Sequence, residues 1–174
     1  NNQQSRYTIA SGYGTAIFQG DLVIPVTAGN IERHTAGNAT PIVGVFNGCF
    51  YTDPTTKKPT FSNYYPGSIA ASDIVANVID DPQTLFLIDA DEALTRAGLF
   101  TNYSVLNVTG NTATGISKVQ LDVSATSTSF SFALQAVDIC QDPNNDDTGS
   151  ANGNIVVRIN NHFYQRNNAA DTGV

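Results

Sequence analysis

The chain has 174 residues, 18.5 kDa, and a formal net charge of −7 with a sequence pI near 4.4. This is the length of one domain. The negative balance argues against nucleic-acid and anionic-membrane partners, since both require clustered Lys and Arg to replace counterions. Charged residues make up only 13% of the chain, and its polarity comes from 18 Asn and 19 Thr against 3 Lys and 2 Glu. Thr, Val, Ile, Tyr and Phe fit pleated half-buried surfaces, while Asn and Gly fill turns. The composition therefore predicts an all-β domain, too apolar at 41% for general disorder.

In chain order, residues 1–12 read as a mobile N-terminal arm, 13–164 as the β domain and 165–174 as a flexible C-terminal tail. The opening Asn1-Asn2-Gln3-Gln4-Ser5-Arg6 has no apolar core of the kind a secretory signal needs. Ala16-Ile17-Phe18 and Leu22-Val23-Ile24-Pro25-Val26 read as two short strands turning at Gly20. Residues 27–40 form a Gly/Asn/Thr-rich loop. From Pro41 to Tyr51 a longer strand alternates Val43, Val45, Asn47, Cys49 and Tyr51 with Gly44, Phe46, Gly48 and Phe50. The two glycines on one face predict close approach by another backbone or a large side chain. A hairpin tip at residues 53–59 leads to a return arm ending at Tyr64-Tyr65.

Residues 73–80 and 84–88 are apolar on both faces and predict doubly buried strands. Asp91 to Ala97 carries the single predicted helix, with Asp91 as N-cap and Gly98 as its end. Residues 103–108, 118–123, 130–139 and 155–160 alternate as strands, with a bulge expected near Ala136. Eight to ten short strands and one short helix predict a single all-β domain: an antiparallel sandwich, jelly roll or barrel.

Candidate chemistry is sparse. His34 and His162 neighbour no nucleophile pattern. Asp80, Asp81, Asp89 and Asp91 would suit a glycosidase if two of them faced one pocket, although turn and helix-start roles are the favoured reading. Asp142, Asn144 and Asp146, before Gly149, loosely follow a calcium loop, but no Glu closes it and a solvated acidic loop is the favoured reading. Tyr51, Tyr64 and Tyr65 on the hairpin offer a sugar-stacking or protein-binding patch. Cys49 and Cys140 make no disulfide framework and suit folding in a reducing cytoplasm. No cofactor is expected.

Several strings occur in an order that resembles a known family. They are Gly14-Thr15-Ala16-Ile17-Phe18-Gln19-Gly20-Asp21-Leu22-Val23, Ile42-Val43-Gly44-Val45-Phe46-Asn47-Gly48-Cys49-Phe50-Tyr51, and Phe61-Ser62-Asn63-Tyr64-Tyr65-Pro66-Gly67. Ile79-Asp80-Asp81-Pro82-Gln83-Thr84-Leu85-Phe86 and Val156-Val157-Arg158-Ile159-Asn160-Asn161-His162 complete the series. Together they resemble the decoration, or cement, proteins of tailed-bacteriophage heads. The resemblance covers most of residues 14–162 and includes no catalytic motif. It implies a non-enzymatic virion protein, made in the host bacterial cytoplasm, that binds the outside of the major capsid protein lattice as a homotrimer or homodimer. A mobile terminus that orders on binding would suit that role. The expected contacts are Asn1, Asn2, Gln3, Gln4, Ser5, Arg6 and Tyr7 of the arm, with Glu32, Arg33 and His34 of the loop. The alternatives are a carbohydrate- or receptor-binding spike module using the three tyrosines, and a glycosidase-like enzyme.

Overall fold

The computed structural model describes residues 4–143 and 150–165. Eleven strands form two antiparallel sheets that pack together. The first sheet contains β1 (Gln4–Thr8), β2 (Leu22–Pro25), β3 (Ile31–Arg33), β4 (Gly44–Thr52), β5 (Pro59–Ser62) and β6 (Val75–Ile79). Its order is β1-β6-β4-β2-β3, with β5 paired to the far part of β4. The second contains β7 (Leu85–Asp89), β8 (Asn102–Leu106), β9 (Gln120–Ser127), β10 (Leu134–Ile139) and β11 (Asn154–Ile159), in the order β7-β11-β10-β8-β9.

Strands β2 and β4 of the first sheet are buried on both faces, which is why Leu22-Val23-Ile24 is apolar without alternation. Leu22, Ile24 and Val45 enter the core shared with the second sheet, beside Leu121, Leu134, Ile155 and Val157. Val23, Phe46, Cys49, Ala76 and Val78 face a second core, roofed by Ile9, Ile17, Tyr65 and Ile74 from the connecting segments. The faces expected for β4 hold only in part. A register shift between Phe46 and Cys49, with Gly48 at φ 102°, inverts the phase. Val45 and Cys49 therefore enter different cores, while Phe46, Cys49 and Tyr51 share one. Gly44 meets the Ile79 carbonyl where a Cβ would sit, the close approach its position predicted. The bulge expected near Ala136 is present between Ala136 and Asp138.

Four expectations are corrected. Residues 4–12 are not a free arm: Gln4–Thr8 pair with β6, and the Tyr7 hydroxyl donates to Asp80 Oδ2 at 2.7 Å. Residues 1–3 and 166–174 of the proposed arm and tail lie outside the described residues. The loop 27–40 contains β3. The predicted helix over Asp91–Ala97 is replaced by one 3-10 turn, Arg96–Gly98. Two turns of helix nucleate poorly alone, and Asp91 is used elsewhere: its N–H donates to Leu121 O and its carboxylate accepts from the Val123 N–H at 2.8 Å. Finally, β7 is not doubly buried but forms the edge of the second sheet, where Leu85 and Leu87 are 54% and 63% exposed. No disulfide joins Cys49 to Cys140, and burial pushes the Cys49 thiol up to about 12.

One charged contact fixes how the sheets meet. Asp21 is fully buried (0% exposed) at the start of β2, and its Oδ2 lies 2.8 Å from Arg33 Nε. Asp21 Oδ2 also accepts from the Phe18 N–H at 2.8 Å, and its Oδ1 accepts from the Ser117 hydroxyl at 2.6 Å. Arg33 Nη2 in turn donates to the Val108 carbonyl at 3.0 Å. Removing one partner of a buried pair strands the other charge and typically costs about 3–5 kcal/mol, whereas replacing both by apolar groups costs far less. Arg33→Met is therefore expected to lower the urea-unfolding free energy by about 3 kcal/mol or more. Asp21→Leu combined with Arg33→Met should lose much less than the sum of the single variants. Equal, additive losses would mean that the pair does not act as a unit.

Candidate interaction surface

Of the residues expected to make contacts, Asn1–Gln3 lie outside the described residues, Gln4 and Arg6 are exposed on β1, and those of the loop are largely engaged in the fold. His34 is buried, Arg33 is committed to Asp21, and Glu32 is half-buried on β3. The tyrosine patch does not form: Tyr51 and Tyr65 are buried, and Tyr64 stacks on Phe18 with ring centres 5.4 Å apart. Tyr65 is held further by its hydroxyl, which donates to Tyr13 O at 2.8 Å. The four aspartates are engaged separately. Asp80 accepts from Tyr7, Asp81 from the Gln83 N–H, and Asp91 from the Val123 N–H. Of the four, Asp89 alone lines the clefts beside β7. The calcium reading depends on residues 144–149, which lie outside the described residues. Among the described residues, no group of three or more His, Cys, Asp or Glu could hold a metal ion.

What sequence reasoning missed is the outer face of the second sheet. On β7, Phe86 and Ile88 pack against the shared core, so Leu85, Leu87 and Asp89 must point outward. The register puts Arg158 opposite Leu85 and Val156 opposite Leu87, both half-buried on β11. Gln135 lies opposite Arg158 on β10, and Val137 sits in the bulge beside it. Five apolar side chains thus gather on or beside this face: Leu85, Leu87, Val137, Val156 and Phe100. Pro82 and Phe100 close a shallow groove of about 470 Å³ over Leu85, Gln135, Val137 and Arg158.

Phe100 is the most informative of these residues. Its φ is +64°, in the left-handed region, and its side chain is 74% exposed. A left-handed backbone costs an L-residue roughly 1–2 kcal/mol, and bulky aromatics rarely adopt it. The conformation is imposed by neighbours. The Phe100 N–H donates to Ala136 O at 2.8 Å, and its carbonyl accepts from Gln135 Nε2 at 3.3 Å. Gln135 Oε1 also accepts from Arg158 Nε at 2.8 Å, which orients the guanidinium across the groove floor. Among the described residues, the Asp21–Arg33 contact is the only ion pair, so Arg158 has no carboxylate partner there. The groove therefore offers a rigid aromatic ring, the apolar Leu85 and Val137, and one oriented cation. It suits a partner surface that brings apolar side chains and a carboxylate.

The histidines add a pH response. The Tyr164 N–H donates to His162 Nδ1 at 3.1 Å, so the neutral ring carries its proton on buried Nε2. Burial lowers the His162 pKa, opposed by the nearby Asp80 and Asp81. Burial also lowers that of His34, opposed by the bond from its Nε2 to Asn38 O.

Two outcomes follow. Phe100→Gly should raise the unfolding free energy by up to about 1 kcal/mol, through relief of the left-handed strain; loss of stability in a thermal melt would refute the strain. For the histidines the folded pKa lies below the unfolded value of 6.5. Their contribution is therefore complete above pH 6.5 and is lost as pH falls through the folded values. Urea midpoints measured from pH 7 to 4.5 should decline, and His34→Gln with His162→Gln should flatten that decline. Comparison of the chain with protein-family models, curated proteins and solved structures finds no match in any of the three.

Proposed function

We propose that the protein is a bacteriophage virion structural protein, a decoration or cement protein that binds the outside of the major capsid protein lattice and stabilises the mature head. The reading starts from the ordered strings in residues 14–162 that resemble that family. The observation that carries it is Phe100, a strained aromatic ring held in solvent on the apolar outer face of a stiff two-sheet body. A side chain kept exposed at a cost in backbone strain is the mark of a contact residue, since strain persists where the surrounding structure imposes it and function uses it. The contact surface moves accordingly, from the arm and loop expected from sequence to the face bearing Leu85, Phe100 and Arg158.

The mechanism is mass action. A protein that binds only the expanded shell stabilises that state by RT ln(1 + [L]/Kd), about 2.7 kcal/mol at a hundredfold excess over Kd. Such contacts, repeated over a lattice, resist internal pressure without any reaction. Symmetry-related sites on the shell would be met by a homotrimer or homodimer.

Co-sedimentation of the purified chain with expanded capsid shells tests the reading. Sub-micromolar binding is expected, together with a higher melting temperature of the shells. Phe100→Gly should weaken binding at least tenfold while leaving the isolated protein folded, and Arg158→Gln should weaken it at least threefold. Absence of binding, or binding indifferent to Phe100, would remove the proposal.

A further inference from the structure

The edge of the second sheet is built to accept one more strand. The N–H of Ala90 bonds Gly153 O on the β11 side, whereas the N–H of Asp91 bonds Leu121 O on the opposite side. Backbone groups alternate sides along a strand. The N–H and C=O groups of Leu85 and Leu87 therefore point away from β11, and among the described residues no strand pairs with them on that side, whereas the Asp89 end of the edge is met by Leu121 of β9. Ala90 bridges Leu121 in parallel, but among the described residues no further bridge joins residues 116–119 to β7. The gap is a cleft of about 280 Å³ between Leu87 and Ile116, floored by Leu22, Val45 and Phe86.

The other edges are protected, and β7 is not. Edge strands are normally blunted by shortness, charge, Pro or polar side chains, because a bare edge templates pairing. Strand β1 is polar and carries Arg6, β3 has only three residues, β5 opens with Pro59 after Lys57-Lys58, and β9 displays Asp122, Ser124 and Thr126. Over Leu85–Ile88, β7 has no charge, no Pro and no bulge, and it exposes two leucines.

We infer that β7 is a strand-acceptor site, and that its occupant is an extended peptide segment of a partner protein carrying branched apolar side chains at alternate positions. Main-chain bonds to Leu85 and Leu87 would supply affinity, and side chains turned inward would reach Phe86 and Leu22. Asn1-Asn2-Gln3 and residues 166–174 contain no alternating apolar run and do not fit. A second copy's β7 fits poorly as well. It would bring its own sheet with it and meet the Ile116 wall, whereas a single extended segment fits the cleft. This site goes beyond the capsid reading and does not require it.

The test uses the full chain without shells. The probe is a labelled peptide, Lys-Thr-Val-Thr-Val-Thr-Val-Lys, followed by fluorescence anisotropy and amide hydrogen exchange. Saturable binding is expected, with slowed exchange at Leu85 and Leu87. Leu87→Pro removes an edge N–H without touching the β11 ladder and should weaken binding at least tenfold. Leu87→Lys, which keeps that N–H but places a charge on the edge, should also weaken it. No binding, or unchanged affinity in either folded variant, would overturn the inference. So would slow exchange at those amides before peptide is added, accompanied by dimer in sedimentation, since the occupant would then be a second copy.

Discussion

The architecture turns on a carboxylate that has no access to water. Asp21 satisfies a turn amide, an arginine and a hydroxyl from three separated parts of the chain. A buried charge is tolerated only when its oxygens are fully engaged. The demand of this one group therefore dictates where β3, Ser117 and, through Arg33, the Val108 carbonyl must lie. Ser117 belongs to the segment that walls the cleft beside β7. The ion pair is thus tied through Ser117 to the wall of that cleft, although neither charge lines it.

The fold class was legible because alternation and turn residues act locally. Val119, Leu121 and Val123 against Lys118, Gln120 and Asp122 describe a sheet with one wet face, and the phase slip at Ala136 matches a real bulge. The sense of two glycines in β4 was also readable, since close approach leaves no substitute. The misreadings share one cause, the neighbours that a local pattern does not contain. An apolar run such as Leu85-Phe86-Leu87-Ile88 looks the same whether both faces are covered or one is left open. Asp91 and Glu92 look like a helix start until a strand elsewhere claims the Asp91 carboxylate. Polar Gln4–Thr8 looks like a loose end unless an unfilled edge waits at β6.

The candidate surface was harder to read for the same reason. Tyrosines suggest an exposed platform by residue type, but hydrogen bonding and stacking draw Tyr65 and Tyr64 inward. Nothing in the local sequence marks Phe100 as left-handed, because the constraint comes from Ala136 and Gln135, more than thirty residues away. Arg158 gives no signal either; its orientation is a product of strand register and the Gln135 side chain. Strain, exposure and an oriented charge meet at one groove only after the sheet is assembled.

Tyr7 and Tyr164 touch through their hydroxyls at 2.8 Å, with Asp80 holding the former. The first strand and the closing segment are thereby neighbours, 157 positions apart in sequence. A covalent loop between these two places would bridge only a short gap, and the chain could then be opened at a distant turn, such as residues 53–58, with its strand pairings retained.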